Sequence, residues 1–167
     1  MRWLILLAPL FAFASLPYVD SAKFSGKWYE IARTYNKYQK ECVASNVEYR
    51  LQADKSYRVI NRCNKKSFDG ELIEYKGKAK AINGKSMERM KMTYFYIFSQ
   101  EYRVLYRNPN YTQAIVSDKE MKSVWIMSRT PKISKTSSNR LVAKLKPLMD
   151  TKRLIYTPQK SHQGASK

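Results

Sequence analysis

The chain has 167 residues, with 32 Lys and Arg against 13 Asp and Glu, for a formal charge of +19. That length holds one domain with one sizeable core. Its single histidine, His162, stands in a polar C-terminal stretch, which argues against histidine-based catalysis or a histidine metal site in the folded part.

Met1-Arg2 makes a positive start, Trp3 to Phe13 is an apolar run, and Ala12-Phe13-Ala14 is a small-x-small pattern. Residues 1–14 are therefore expected to be a signal peptide. The run is short for a membrane span, and the alternative is an uncleaved anchor. No cysteine lies near the expected cleavage site, so bacterial lipid attachment is not expected. The chain is expected in the periplasm or secreted, with outer-membrane association as a further option. Removing 14 of 167 residues leaves 153, and loss of Arg2 lowers the charge by one to +18. Thirteen Tyr against five Gly favour a sheet. Such a charge suits nucleic acid, an anionic membrane or a polyanion. The basic residues are spread rather than blocked, so a generally basic proteome explains them equally well, and no nucleic-acid partner is expected.

Phe24 to Arg33 reads as a turn running into a strand, with Gly26 at the bend and Trp28, Glu30 and Ala32 on one face. Residues 34–42 lack periodicity and read as a long loop. Val47 to Leu51 alternates apolar and charged, Ala53 to Ser56 turns, and Tyr57 to Cys63 returns. Residues 64–70 make a polar loop. Tyr75 to Ala81 puts Lys76, Lys78 and Lys80 on one face and small residues on the other. Asn83-Gly84 signals a tight turn, after which Met87 to Tyr94 carries Met90, Met92 and Tyr94 on one face and Arg89 and Lys91 on the other. Tyr102 to Tyr106, Gln113 to Ser117 and Ser123 to Arg129 complete eight strands. Serines 134, 137 and 138 offer helix caps, Leu141, Val142, Leu145, Leu148 and Met149 recur at helical spacing, and Pro147 ends regular helix near Lys146. Arg153 to Tyr156 is a short last strand, and 160–167 is a polar tail.

Sequential hairpins close most simply into an all-β, eight-stranded antiparallel up-and-down barrel, here with one C-terminal helix packed outside. The interior of such a barrel is just wide enough for one small ligand. The inward faces then hold Tyr49, Val59, Tyr75, Ala79, Met90, Met92, Tyr102, Val104, Tyr106, Ile115, Trp125 and Met127, with Asn61 and Gln113 as polar contacts. Flexible Met and small residues on these faces suit an adaptable apolar cavity. The competing view is that many of them form packed core, above all Trp125 and residues near the closed end. The outward Lys76, Lys78, Lys80, Arg89 and Lys91 form a basic wall that would dock on anionic lipid or stand simply solvated.

Gly26-Lys-Trp28-Tyr29, Asn108-Pro-Asn-Tyr111 and Trp125-Ile-Met-Ser-Arg129-Thr-Pro131 resemble the three signatures of the lipocalin family, in order and on the right strands. The likeness spans about residues 23–159 and is closest to the bacterial outer-membrane and apolipoprotein D-like lipocalins. It implies that Trp28 and Arg129 stack at the closed end, a structural role shared with Gly26. Glu30, inward beside Trp28, is expected to pair with Arg129 or meet ligand. It also implies a carrier of a small hydrophobic ligand, a fatty acid or lysophospholipid, with no cofactor, acting as a monomer or weak dimer. Alternatives are a carrier of haem, a pigment or a sterol-like molecule, or a lipocalin-type enzyme. No metal cluster or catalytic triad is legible. Cys42 and Cys63 are an even pair in an exported chain, for which a disulfide is the default. A turn centred on Asp54-Lys55 places Cys63 opposite Asn46, about 13 Å from Cys42 at strand rise, so the bond needs residues 42–45 to fold back. Bacterial lipocalins carry a similar pair, which favours the bond over two free thiols. Asn110-Tyr-Thr112 is a glycosylation acceptor only in a eukaryotic host.

Overall fold

Runs in which charged and apolar residues alternate, broken by Gly, Asn and Asp, favour consecutive hairpins. A computed structural model describes residues 15–160 apart from residue 96, and in it the runs close into a barrel. The expected signal peptide, 1–14, and the tail beyond residue 160, with His162, lie outside the described residues. A four-residue helix, α1 (Ser21–Phe24), leads into β1 (Gly26–Arg33). There follow β2 (Cys42–Leu51), β3 (Tyr57–Lys65), β4 (Leu72–Ala81) and β5 (Arg89–Tyr94). Then come β6 (Phe98–Arg107), β7 (Gln113–Asp118) and β8 (Val124–Ser128). All pairings are antiparallel, and β1 closes the ring by pairing β2 (Trp28 with Val47) and β8 (Tyr29 with Ser128). Helix α2 (Lys135–Leu145) lies outside, and β9 (Ile155–Tyr156) adds two residues beside β1. Ser134 caps α2 by accepting from the Ser137 N–H, and the helix stops two residues before Pro147.

Two apolar layers result. The inner one gathers Trp28, Tyr49, Tyr57, Met90 and Val104, and the outer one holds Ile115, Val124 and Ile126 under Leu141 and Leu145 of α2. This layering reverses the expected phase of β7. Ala114 and Val116 face inward, whereas Ile115 faces α2 and Gln113, half-buried, shares its phase. A strand covered on both sides is apolar on both, so its alternation carries no phase. Tyr106 is also outside the barrel. The β6–β7 register slips between Val104 and Tyr106, which leaves Leu105 and Tyr106 together in the outer layer, with Lys144 Nζ 4.4 Å from the Tyr106 ring centroid.

The closed end is plugged by Trp28, fully buried, with the Arg129 guanidinium 3.8 Å from its ring centroid. Arg129 also donates to the carbonyls of Lys23, Ser25, Lys27 and Tyr111, tying α1, β1 and the β6–β7 turn to one side chain. Gly26 has φ +92, where an L side chain is strained, and a Cβ there would crowd Arg129 Nη1 at 3.2 Å.

The bond between Cys42 and Cys63 forms by a different route from the expected fold-back. The β2–β3 turn spans residues 52–56, which puts Arg62 rather than Cys63 opposite Asn46. Between Val43 and Asn46 the register slips again, with Ala44 at φ 52. This bulge brings the Cys42 Cα to 5.4 Å from that of Cys63 while residues 42–45 stay in β2.

Candidate functional site

Above the plug the barrel is hollow. A cavity of about 760 Å³ opens at the end bearing the β1–β2 and β5–β6 loops, a volume suited to one small ligand. Of the inward residues expected to meet ligand, Tyr49, Asn61, Tyr75, Met92, Tyr102, Trp125 and Met127 line it. Val59, Ala79, Met90 and Val104 point inward but are spent in the packed layer beneath. Tyr106, Gln113 and Ile115 lie off its wall, for the reasons given above. The cavity also has walls that the pattern did not single out: Val47, Ile73, Tyr94, Phe98 and Val116. Tyr94 shares the phase of Met90 and Met92, so its place was readable. Gln39, from the loop, carried no signal.

The polar groups of the cavity are largely satisfied by one another. Asn61 Nδ2 donates to the Tyr94 hydroxyl at 2.9 Å. Glu30 pairs with Arg33 at 3.1 Å, not with Arg129, because a slip in the β1–β8 register between Glu30 and Ala32 brings the two side chains together. Glu30 also accepts from Gln39 Nε2 at 2.7 Å and from the Thr157 hydroxyl. Gln39 in turn accepts from Trp125 Nε1 at 3.1 Å, and its carbonyl accepts from Arg33. One network thus pins the loop after β1 across the cavity to β8 and to the segment after β9. Burial raises the Glu30 carboxyl above its ordinary pKa, against the opposing pull of Arg33 and the hydrogen bonds. Burial also raises the phenols of Tyr49 and Tyr102, and that of Tyr94 to about 12. At neutral pH these phenols are uncharged donors, so the upper cavity is apolar with neutral polar points.

The outer basic wall is laced with carboxylates. Lys78 and Lys80 reach Asp54 at 3.2 and 3.8 Å, Lys76 reaches Glu74 at 3.0 Å, and Arg89 and Arg103 share Glu101. Hydrogen bonds from Arg50 and Arg62 hold Glu48 down to about 2, and Arg89 does the same for Glu101. Much of the wall's charge is therefore neutralised locally.

A closed antiparallel barrel, plugged at one end and hollow at the other, defines a cup-shaped binding protein. A family model described as a lipocalin-like domain matches residues 19–159, and the chain belongs to the lipocalin family, whose barrels bind small hydrophobic molecules. It is 33% identical over 138 residues to the outer membrane lipoprotein Blc of Vibrio cholerae, covering 81% of this chain and 80% of that one. It is 31% identical over 130 residues to a putative lipocalin of Acanthamoeba polyphaga mimivirus, covering 74% and 75%. Among solved structures, a lobster apocrustacyanin superposes with a TM-score of 0.68 at 20% identity, over 84% of this chain and 79% of that one, a likeness of fold.

Proposed function

We propose that this lipocalin is a non-enzymatic carrier or storage protein for a fatty acid, a lysophospholipid or a similar single-chain amphiphile. The acyl chain lies in the cup and the charged end sits at the mouth. The observation that carries this reading is the charge state of the cavity. The charged group on the inner wall is the Glu30 carboxylate, already held by Arg33, Gln39 and the Thr157 hydroxyl, and Arg33 itself lies behind the wall, turned to Glu30, Thr157 and the Gln39 carbonyl. A carboxylate or phosphate inserted first would meet no unpaired cation there and would be desolvated beside Glu30. Inserted last, it would sit at the mouth near Lys37, while the chain lies against Tyr49, Met92, Tyr102 and Met127. Both cysteines are engaged in one bond, which removes the nucleophilic thiol that an enzymatic reading would need.

The Vibrio cholerae relative is by name an outer membrane lipoprotein, which supports a place in the cell envelope. In this reading the chain works in the periplasm or outside the cell, as a monomer or weak dimer. It would meet its ligand at an anionic membrane surface. Native mass spectrometry of the purified protein tests the reading. The expected result is an adduct that releases acyl fragments and is displaced by a fluorescent fatty acid. An adduct absorbing visible light would replace the lipid with a pigment or haem. Failure of both adduct and probe uptake would overturn the carrier.

A further inference from the structure

The end of the barrel that opens is also the end that is greasy on the outside. In the β5–β6 turn Phe95, Ile97 and Phe98 are 58%, 75% and 65% exposed. Leu72, at the start of β4, and Tyr35 and Tyr38, in the β1–β2 loop, are equally uncovered. The rings run together across the rim, with Tyr75 edge-on to both Tyr38 and Phe95 at 6.4 Å. The opposite end exposes mainly Asp54, Lys55, Asn83, Gly84, Pro109 and Asn110, with Leu51 and Ile82 only 40% and 43% uncovered and Tyr18 the one strongly exposed ring there among the described residues. An apolar ring concentrated at one end of a small barrel is a mark of an interaction surface.

The β5–β6 turn is also costly as a turn. Phe95 has φ +51, a left-handed conformation that glycine takes without strain and a bulky aromatic resists. In the β4–β5 turn of this same chain the positive φ, +71, belongs to Gly84. Folding alone would favour Gly or Asn at 95, so the aromatic is kept for what its ring meets: Tyr75 and the cavity mouth on one side, and on the other its 58% exposed surface at the rim.

Charge says what covers this surface. The rim carboxylates Glu41, Glu71, Asp69 and Glu120 each have a lysine within 4 Å, namely Lys66, Lys65, Lys160 and Lys122. Lys37 and Lys40, on the loop beside Tyr38, have no acidic partner among the described residues. Exposed aromatics and aliphatics ringed by surplus lysine fit the interface of a bilayer containing anionic lipid. The ring also encircles the mouth of the cavity, since Tyr35, Tyr38, Phe95, Ile97 and Phe98 line both.

We infer that the open end of the barrel docks on anionic membrane, inserting the β5–β6 turn and Leu72 among the headgroups, so that a lipid passes between bilayer and cup without crossing water. The surface is distinct from the outer basic wall of β4 and β5. The inference rests on the carrier reading for its purpose, but not for its geometry.

The test is flotation of the purified protein with phosphatidylcholine vesicles, with and without phosphatidylglycerol. Solution uptake of a fluorescent fatty acid is measured separately, in the absence of vesicles. Binding is expected to require phosphatidylglycerol. It should weaken by at least about tenfold in Ile97→Asp and in Leu72→Asp, and severalfold in Lys40→Glu. Leu72 lies off the cavity wall, so Leu72→Asp should take up the probe from solution as the parent does. Phe95→Gly should melt no lower than the parent while binding vesicles less well, a pairing that a purely structural role for Phe95 would not produce. The inference is overturned if the parent ignores both vesicle types or if the rim variants bind as well as the parent. It is also overturned if binding is lost with Lys76, Lys78 and Lys80 changed to Gln instead, or if the rim variants abolish a dimer seen by gel filtration. Normal vesicle binding without any probe uptake would instead defeat the carrier reading alone.

Discussion

The two ends of this barrel are made from the same strands and do opposite things. Along β5, Met90 and Met92 point the same way, two residues apart, yet Met90 is sealed in the closed half and Met92 borders the cavity. At the closed end Trp28, Arg129 and α1 fill the interior and satisfy each other. At the open end the inward side chains stop meeting, and the polar ones are tied off in pairs. The contrast shows that a barrel cross-section large enough for a ligand becomes a cup only when one end receives a plug. Stability then concentrates at the plug, which leaves the open half free to serve binding.

That division can be broken most directly by Trp28→Ala, which should cost about 3–5 kcal/mol as a buried aromatic truncation. A denaturant midpoint equal to that of the parent would mean that the plug does not hold the fold. Within β5, Met90→Ala should cost about 2–5 kcal/mol. Met92→Ala should cost less, because one side of Met92 already faces open space, but should shift probe affinity. Equal losses from the two would erase the boundary between plug and cup. Replacing both Cys42 and Cys63 by Ser should cost about 3 kcal/mol, since the bond closes a loop between residues 21 apart. Chemical denaturation with and without reductant reads that loss. Gly26→Ala should cost about 1–3 kcal/mol for its strained φ, and a wild-type melt would show that Arg129 yields easily.

The smallest expected effect is on pH. Glu48 and Glu101 are held at about 2, below the ordinary 4.5, so their contribution is complete above that value and fades as pH falls through 4.5 toward 2. Glu30 runs the other way. Its raised pKa means that the folded state binds the proton more tightly, so its contribution declines as pH rises through 4.5 and beyond. Melting scans from pH 7 to 3 should therefore show a modest net loss. Glu101→Gln should flatten the part of the acid slope that comes from the β5–β6 wall.

How much of this was legible follows from which faces meet water. The second half of β2 and strands β3, β4 and β5 alternate cleanly because their outer faces are wet, and their inward residues Tyr49, Asn61, Tyr75 and Met92 were read in phase. β7 was read out of phase because α2 covers its outer face. Tyr106 and the Cys42–Cys63 route were misread because each depends on a bulge, an added residue that leaves no mark in periodicity. The Glu30–Arg33–Gln39 network was invisible for the same reason, compounded by a loop that has no period at all.

By itself the sequence determined the barrel, its closing motif and the apolar character of its interior, since alternation, turn residues and Trp28 with Arg129 are local or strongly specified signals. Tertiary structure alone decided where packing ends and cavity begins, which arginine pairs with Glu30, and that the exposed rim residues gather around one mouth. Those properties depend on register slips and on strands far apart in the chain arriving side by side, and no single stretch of residues encodes them.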